Sequence, residues 1–393
     1  MKNLTQAVSA FKKNLKFSKI KLYFDVGSFT TRVVMNDQLV FSQPTCFLLR
    51  QEGGEVLTSG DSAMMVCGKE PIGTEVVFPI KQGVVYDQKQ FNLFLSAVIK
   101  QLKKEISWPW LARAEVVYAI PASATELDQK IIKQSLTEAG FNKISLVRKA
   151  SLLLAQIGGK GTQRGGGIGR DQGTQRGGQL GAQRRGLVNG QATRFLTKKG
   201  GFFQIKPDQA DSVSESVGKN QIMVIDMGDE TTEVMIGSGE MISFNQTIPL
   251  GGKKITNAIC QSLKQEHDLL ISFQQALKIK HNLQYQFAEE TSSTESKFQT
   301  DQKNQINIRG ISTSSHTIKT KTIRSEELIM VIEQELEKLS YQIKQILNQV
   351  KLEQLISALN NGVILTGGAS QLFGVDDYFA MQLQTNVVKR QVS

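Results

Sequence analysis

One short sequence pattern occurs twice in this chain, at residues 19–34 and again at residues 221–236. The copies, KIKLYFDVGSFTTRVV and QIMVIDMGDETTEVMI, each contain an apolar run, an aspartate, a glycine turn with Ser or Thr, and a second apolar run. Apolar runs rich in β-branched residues on both sides of such a turn predict two strands joined tightly. The repeat therefore predicts a fold built on two equivalent hairpins.

The tips of these hairpins have the composition of a phosphate-binding turn. Backbone N–H groups in a small-residue turn can point at an anion, and the tip residues are Gly27, Ser28, Phe29 and Thr30 in one copy and Gly228, Asp229, Glu230 and Thr231 in the other. The aspartates before the turns, Asp25 and Asp226, cannot bind phosphate and are predicted to hold Mg²⁺ through water. Two facing hairpins predict a clamp around the phosphates of a nucleotide.

Composition places the chain among cytosolic proteins of two domains. The 393 residues suffice for two cores, no apolar run is long enough for a membrane span, and nothing resembles a signal peptide. Three scattered cysteines predict free thiols in a reducing compartment, and three histidines lack the spacing of a zinc site. The net charge of +11 is concentrated in residues 158–201, so we expect no DNA binding by the nearly balanced remainder.

Residues 1–18 form a predicted basic amphipathic helix. Leu4, Val8, Phe11 and Leu15 recur at helical spacing, with lysines at the other positions. Such a helix can lie on an anionic membrane surface, with its apolar face in the lipid. A capping helix or a frayed terminus is an equally good interpretation, because one weak helix binds a membrane only marginally.

Residues 19–157 alternate strands with helices, which indicates an α/β layer architecture and a first domain. Residues 115–120 and 143–147 are predicted strands. The helix between them, at residues 123–140, is predicted to begin at a Ser123–Glu126 capping pattern and to end at Gly140.

Residues 158–219 form a predicted disordered insertion rich in Gly, Arg and Gln. The motif GTQRGG occurs twice there, and such a composition cannot bury an apolar face. Arg-Gly-Gly tracts leave RNA contact as an alternative. We favour a flexible surface insertion, because no aromatic residue interleaves until Phe195 and the segment interrupts a continuous fold.

Residues 220–361 form the predicted second domain. Order is expected to run from Gln221 to about Leu283, followed by a polar, mobile loop at residues 289–315 and a long amphipathic helix at residues 325–350. A strand at residues 362–365 then leads into TGGAS, whose glycine pair allows a ligand close to the backbone. We expect residues 362–393 to make this loop and a truncated return to the first domain.

Taken in order, these segments resemble the bacterial actin family, and within it the MreB branch of cell-shape proteins. The resemblance covers nearly all of the chain outside the insertion and rests on residues 78–86 (FPIKQGVVY), 117–140, 226–234, 247–259 (TIPLGGKKITNAI), Lys280 and residues 365–368. It implies two domains, each with a five-stranded sheet of ribonuclease H type, and ATP with Mg²⁺ in the cleft between them. The nucleotide-binding residues that it implies beyond the hairpins are Gly251, Gly252, Lys280, Thr366, Gly367 and Gly368.

The chain departs from this family at the chemical positions. Lys149 stands where the resemblance places the glutamate that positions the attacking water, and a charged lysine has no acceptor for that role. Asp229 and Glu230 replace glycines and repel a triphosphate, although Lys253 and Lys254 can offset them. We therefore expect nucleotide binding with very slow or absent hydrolysis.

The resemblance implies a nucleotide-dependent protein that self-associates into filaments at the inner membrane face and is involved in cell shape. An actin-fold membrane adaptor of the FtsA or PilM type is an alternative, and so is an actin-like protein that has lost its nucleotide. A sugar kinase of this fold needs an acidic general base that does not stand out here, and a related chaperone needs a further peptide-binding domain.

Overall fold

Two five-stranded sheets of the same topology dominate the computed structural model of this protein. The structure describes residues 20–105, 113–158, 194–196, 202–204, 221–239, 241–283 and 305–390. The predicted helix at residues 1–18, with Leu4, Val8, Phe11 and Leu15, lies outside these residues. Most of the predicted disordered insertion also lies outside them, but its described residues 194–196 and 202–204 pair as two antiparallel strands, so the prediction of disorder was wrong for these residues.

The strands and helices alternate along both halves of the chain. The strands are β1 (Lys21–Val26), β2 (Thr30–Met35), β3 (Gln38–Pro44), β4 (Phe47–Arg50), β5 (Val56–Ser59), β6 (Thr74–Val77), β7 (Ile80–Lys81), β8 (Val84–Val85), β9 (Glu115–Ile120), β10 (Lys143–Arg148), β11 (Arg194–Leu196), β12 (Phe202–Gln204), β13 (Ile222–Met227), β14 (Thr232–Ser238), β15 (Met241–Ile248), β16 (Gln305–Ile311), β17 (Ile318–Arg324), β18 (Val363–Thr366) and β19 (Val387–Lys389). The helices are α1 (Asp61–Val66), α2 (Gln88–Glu105), α3 (Glu126–Glu138), α4 (Lys149–Gly158), α5 (Gly252–His267), α6 (Phe273–Asn282), α7 (Ser325–Leu347), α8 (Leu352–Asn360) and α9 (Val375–Leu383), with a 3₁₀ turn at Ala369–Gln371.

The duplicated sequence pattern forms the centre of both sheets, as predicted. The first sheet has the order β10-β9-β1-β2-β3 and the second the order β15-β14-β13-β18-β19. In each, an antiparallel hairpin (β1 with β2, β13 with β14) is extended on one side by a parallel strand, β9 or β18. This repetition confirms the α/β class and the two sheet domains.

Each sheet carries its own apolar core. In the first domain the alternation in β1 buries Leu22 and Phe24, and the ring of Phe24 meets that of Phe141 edge to face at 6.2 Å between centroids. In the second domain, one face of α7 supplies the apolar stripe that was predicted from helical spacing: Leu328, Ile332, Leu336, Leu339 and Ile343 are buried. Burial of such a stripe holds a long helix on the sheet.

Helix α4 joins the two domains. It follows β10 of the first sheet directly, yet its buried residues Ala150, Leu153 and Leu154 cluster with Val224 and Met235 of the second sheet. The chain therefore crosses between the domains at Lys149, the first residue of this helix.

Three other local predictions differ from the structure. Helix α3 begins at the N-cap Thr125, whose side chain and that of Asp128 form a reciprocal capping box, so the predicted Ser123–Glu126 cap was wrong. Residues 305–311 are a strand instead of part of a mobile loop, because they pair along their length with β17.

The third difference concerns the end of the chain. Residues 362–393 were expected to return to the first domain. Instead β18 pairs in parallel with β13, β19 pairs with β18, and Val375 and Phe379 of α9 are buried in the second core. The fourth and fifth strands of the second sheet come from this segment.

Candidate nucleotide-binding cleft

The two hairpins have the same turn geometry. Gly27 N–H donates to the carbonyl of Thr30 at 3.0 Å, and Gly228 N–H donates to that of Thr231 at 2.8 Å. A Cβ atom would lie 3.2 Å from the Thr30 carbonyl oxygen in the first turn and 2.9 Å from that of Thr231 in the second. Close approach of the chain to itself therefore favours glycine at both positions.

A third turn links the hairpins across the cleft. Residues Gln82 and Gly83 connect β7 to β8, and both have positive φ. Gly83 N–H donates to Ser28 Oγ at 3.1 Å, and Gln82 N–H donates to Glu230 Oε2 at 2.6 Å. A further bond across the cleft runs from the N–H of Ala122 to Glu233 Oε1 at 3.0 Å. Backbone N–H groups of the first domain thus bind carboxylates of the second.

Glu230 is held as an anion at the tip of the second hairpin. Besides the Gln82 N–H, it accepts a hydrogen bond from Lys253 Nζ at 2.6 Å. Burial alone would raise the pKa of Glu230, but the bonds from Lys253 and Gln82 more than offset this, and the pKa is lowered. A carboxylate with an ammonium and a backbone N–H as donors is bound much as a phosphate would be.

Lys149 lies between the two aspartates that the sequence pattern singled out. Its Nζ is 2.9 Å from Asp226 Oδ2 and 3.6 Å from Asp25 Oδ1. Asp226 is buried, whereas the side chains of Lys149 and Asp25 are 30% and 38% exposed. Burial lowers the pKa of Lys149, but the two carboxylates more than offset it and raise the pKa above that of a free lysine. Lys149 is therefore a fixed positive charge.

This arrangement does not fit the predicted Mg²⁺ held by Asp25 and Asp226. A divalent cation about 4 Å from the Lys149 ammonium would be repelled by about 2 kcal/mol even at the dielectric constant of water, and by more in a partly buried site. Within the described ranges, no three His, Cys, Asp or Glu side chains are grouped to bind a metal directly. The two carboxylates of Asp25 and Asp226 therefore favour the Lys149 ammonium over a metal ion as their partner.

The buried Lys280 and the half-buried Asp229 interact electrostatically as a second pair of opposite charges. Lys280 is 6% exposed, and its Nζ donates to the carbonyl of Gly252 at 3.0 Å. Burial lowers the pKa of Lys280 to about 8, against the attraction of Asp229. Burial likewise raises the pKa of Asp229 to about 6, although Lys280 and Lys253 oppose this rise. The charge of this pair changes near neutral pH.

The loop after β18 completes the cleft. Thr366 is buried, and Gly367 has φ +93° beside the carbonyl oxygen of Met227. A small pocket is lined by Gly252, Ile255, Lys280, His281, Gly368, Ala369 and Leu372. Gly252, Lys280 and Gly368, which were predicted from separate parts of the chain, therefore meet in one place.

Gly251 and Gly252 lie at the start of α5, and Gly252 and Lys253 are hydrogen-bonded to the second hairpin. Gly251 is the N-cap of this helix. Gly252 N–H donates to Gly228 O at 3.0 Å, and Lys253 N–H donates to Asp229 O at 2.7 Å. These bonds fix the hairpin on the helix and use donors that a helix N-terminus offers to an anion.

One predicted site residue points elsewhere, and three useful ones were missed. Phe29 packs beside the buried cluster that includes Cys46 and Leu48, because a phenyl ring gains more from burial than from the cleft. Glu233 and the Gln82–Gly83 turn were not predicted to bind across the cleft. Glu233 lies opposite Asp226 in the hairpin register, which is the signal that would have found it.

Comparison with known proteins agrees with this architecture. The family model described as MreB/Mbl protein matches residues 19–162 and 212–392. The chain is similar to the cell shape-determining protein Mbl of Bacillus subtilis (strain 168), with 21% identity over 93% of this chain and 89% of that protein. It is also similar to the cell shape-determining protein MreB of Escherichia coli (strain K12), with 22% identity over 90% of this chain and 84% of that protein.

Solved structures support the same fold. MreB 5 of Spiroplasma citri bound to AMPPNP aligns with a TM-score of 0.70 at 17% identity, over 95% of this chain and 92% of that one. The MamK double helical filament aligns with a TM-score of 0.62 at 13% identity, over 95% of each chain. No helix in the part of the chain that the structure describes is long and apolar enough to cross a membrane.

The family model matches most of the residues, and the two sheets have the same topology around equivalent hairpins. This chain is a divergent member of the MreB/Mbl family and has the actin-like fold.

Proposed function

We propose that this protein binds an adenine nucleotide between its two domains and self-associates into filaments that contribute to cell shape. The observation that carries the proposal is the pair of equivalent hairpins facing one another, with the pocket of Gly252, Lys280 and Gly368 beside them. The names of the relatives, and the nucleotide and filament named for similar structures, point in the same direction.

Sedimentation tests this proposal. We expect more protein in the pellet with ATP or ADP than without nucleotide, and filaments in the pellet by electron microscopy. Lys280→Met should remove the response to nucleotide, because Lys280 is the buried cation of the pocket. Lys278→Met, which changes an exposed lysine on the same helix, is the matched control and should pellet as the wild type does.

Hydrolysis is proposed to be very slow. Lys149 stands where the family resemblance places a water-positioning glutamate, and its ammonium is bound to Asp226 and Asp25 instead of accepting a proton. Loss of a general base typically costs about 10²- to 10⁴-fold in rate. Single-turnover hydrolysis should therefore be faster in Lys149→Glu than in the wild type. Equal rates would show that Lys149 is not at the catalytic position.

The place of action is proposed to be the cytoplasmic face of the inner membrane. The basis is the amphipathic pattern of residues 1–18, which lie outside the described residues. The Arg/Gly-rich insertion is proposed as a surface segment, with RNA contact as the weaker alternative and no role for DNA.

A second candidate is an actin-fold adaptor or pseudo-ATPase that no longer binds nucleotide. The ion pairs of Lys149 and Glu230 favour it, because they already satisfy charges that a nucleotide and its cation would meet. Calorimetric titration with ADP separates the candidates: heat of binding supports the first, and its absence at every pH and metal concentration supports the second.

A further inference from the structure

The position of Lys149 has a consequence for the nucleotide that the cleft accepts. Its ammonium contacts Asp25 of the first sheet and Asp226 of the second, so a single cation bridges the two domains. Carboxylates arranged in this way usually require a counter-charge, and the counter-charge here is part of the chain. It enters with α4, whose first residue is Lys149 and whose apolar face is buried against the second sheet.

We propose that Lys149 replaces the divalent cation, so that the cleft binds a nucleoside diphosphate without a metal ion. The proposal rests on nucleotide binding as proposed above, and adds which form of the nucleotide is bound. An ammonium has three N–H donors. Asp226 Oδ2, at 2.9 Å, accepts one of them, whereas Asp25 Oδ1, at 3.6 Å, is an ion-pair partner beyond hydrogen-bond distance. A further N–H can therefore donate to a phosphate oxygen.

The preference for a diphosphate follows from Glu230. Its carboxylate holds the Gln82 N–H and the Lys253 ammonium at 2.6 Å each. Both donors reach the tip of the second hairpin, where a third phosphate would need them. A triphosphate has to displace this carboxylate and approach its charge, whereas a diphosphate leaves the contacts of Glu230 in place.

Titration with a fluorescent ADP analogue, in EDTA and in excess MgCl₂, tests the proposal. For the wild type we expect dissociation constants that agree within about twofold in the two buffers, because the Lys149 ammonium already occupies the position between the carboxylates and repels a metal ion from it. Lys149→Met should bind at least about tenfold more weakly in EDTA and recover in MgCl₂, because a divalent cation then takes the vacant position.

Two further variants control for charge and folding. Lys149→Arg keeps the positive charge and should bind the analogue equally well with and without metal. Lys143→Met removes an exposed lysine at the far end of β10 and should behave as the wild type. Cooperative thermal unfolding of each variant, followed by circular dichroism, establishes that the protein is folded.

A readout without nucleotide separates this proposal from nucleotide binding itself. Electron paramagnetic resonance should show Mn²⁺ remaining free beside the wild type and becoming bound to Lys149→Met. Mn²⁺ bound by the wild type, or a wild-type affinity for the ADP analogue that rises about tenfold or more with Mg²⁺, overturns the proposal. If no variant binds the analogue in any buffer, nucleotide binding fails, and the Mn²⁺ result alone decides whether Lys149 replaces the metal.

Discussion

Replacing Gly367 with alanine should destabilise the second domain strongly. This glycine follows β18 and has φ +93°, a conformation that side chains with a Cβ rarely adopt. An added Cβ would lie 2.3 Å from the carbonyl oxygen of Met227 and 2.5 Å from Asp226 Oδ1. Both neighbours belong to the central strand of the sheet, so neither can move without disturbing the cleft.

The size of the effect follows from these two contributions. A left-handed backbone costs a residue with a Cβ about 1–2 kcal/mol. Forcing an atom into a packed region costs about 1–3 kcal/mol more. Gly367→Ala should therefore lose about 2–5 kcal/mol of unfolding free energy, which is about 1–2 M in the urea midpoint for a typical dependence on denaturant.

Gly368→Ala is the matched control. Gly368 has φ −64° and ψ −38°, and a Cβ there would meet no atom within 4 Å. Alanine should be neutral or stabilising by about 0.4–1 kcal/mol, because it restricts the unfolded chain. Urea unfolding followed by circular dichroism compares the two variants. Similar midpoints for Gly367→Ala and Gly368→Ala would refute the proposed geometry of this loop.

Four other predictions concern charge, nucleotide choice, residues 1–18 and the insertion. Affinity for ADP, measured by calorimetry, should fall as pH rises, because the pKa of Asp229 is about 6 and that of Lys280 about 8. Asp229 becomes an anion first, Lys280 then becomes neutral, and each change disfavours phosphate; an affinity that rises with pH would contradict this. Glu230→Gln should increase the affinity for ATP relative to ADP in the same titration, since it removes the charge that a third phosphate meets. Deleting residues 1–18 should abolish co-flotation with anionic vesicles, and equal flotation of both chains would exclude a membrane role for them. Replacing residues 158–201 with a short Gly/Ser linker should change the melting temperature little, whereas loss of cooperative unfolding would show that this segment belongs to the fold.

The central strands of both sheets were predictable because the residues that specify each hairpin lie within one short stretch of sequence. Each hairpin is encoded by two apolar runs around a glycine, and the same turn bond from Gly27 or Gly228 forms in both. The long helix α7 was predictable for a similar reason, since its apolar spacing is continuous. Spacing and turn residues therefore specify these elements without tertiary context.

The contacts that decide the chemistry were not predictable, because they join distant parts of the chain. Lys149 was assigned to the catalytic position, but its ion pairs with Asp25 and Asp226 depend on how α4 crosses between the sheets. The assignment of the last strands to the second sheet also depends on tertiary pairing with β13. The position of the Phe29 ring was not predictable for the same reason. Phe29 lies at the tip of the first hairpin, but its ring packs against a buried cluster and not in the cleft.

The central claim is that the Lys149 ammonium occupies the position of a divalent cation between Asp25 and Asp226. A crystal structure of the protein grown with ADP and Mn²⁺ tests this claim most directly. The anomalous scattering of manganese locates the metal independently of the protein. We predict no anomalous peak between Asp25 and Asp226, with the Lys149 ammonium at that position and the diphosphate beside it. A manganese peak between the two carboxylates, with Lys149 turned away from them, would contradict the proposed role of this lysine.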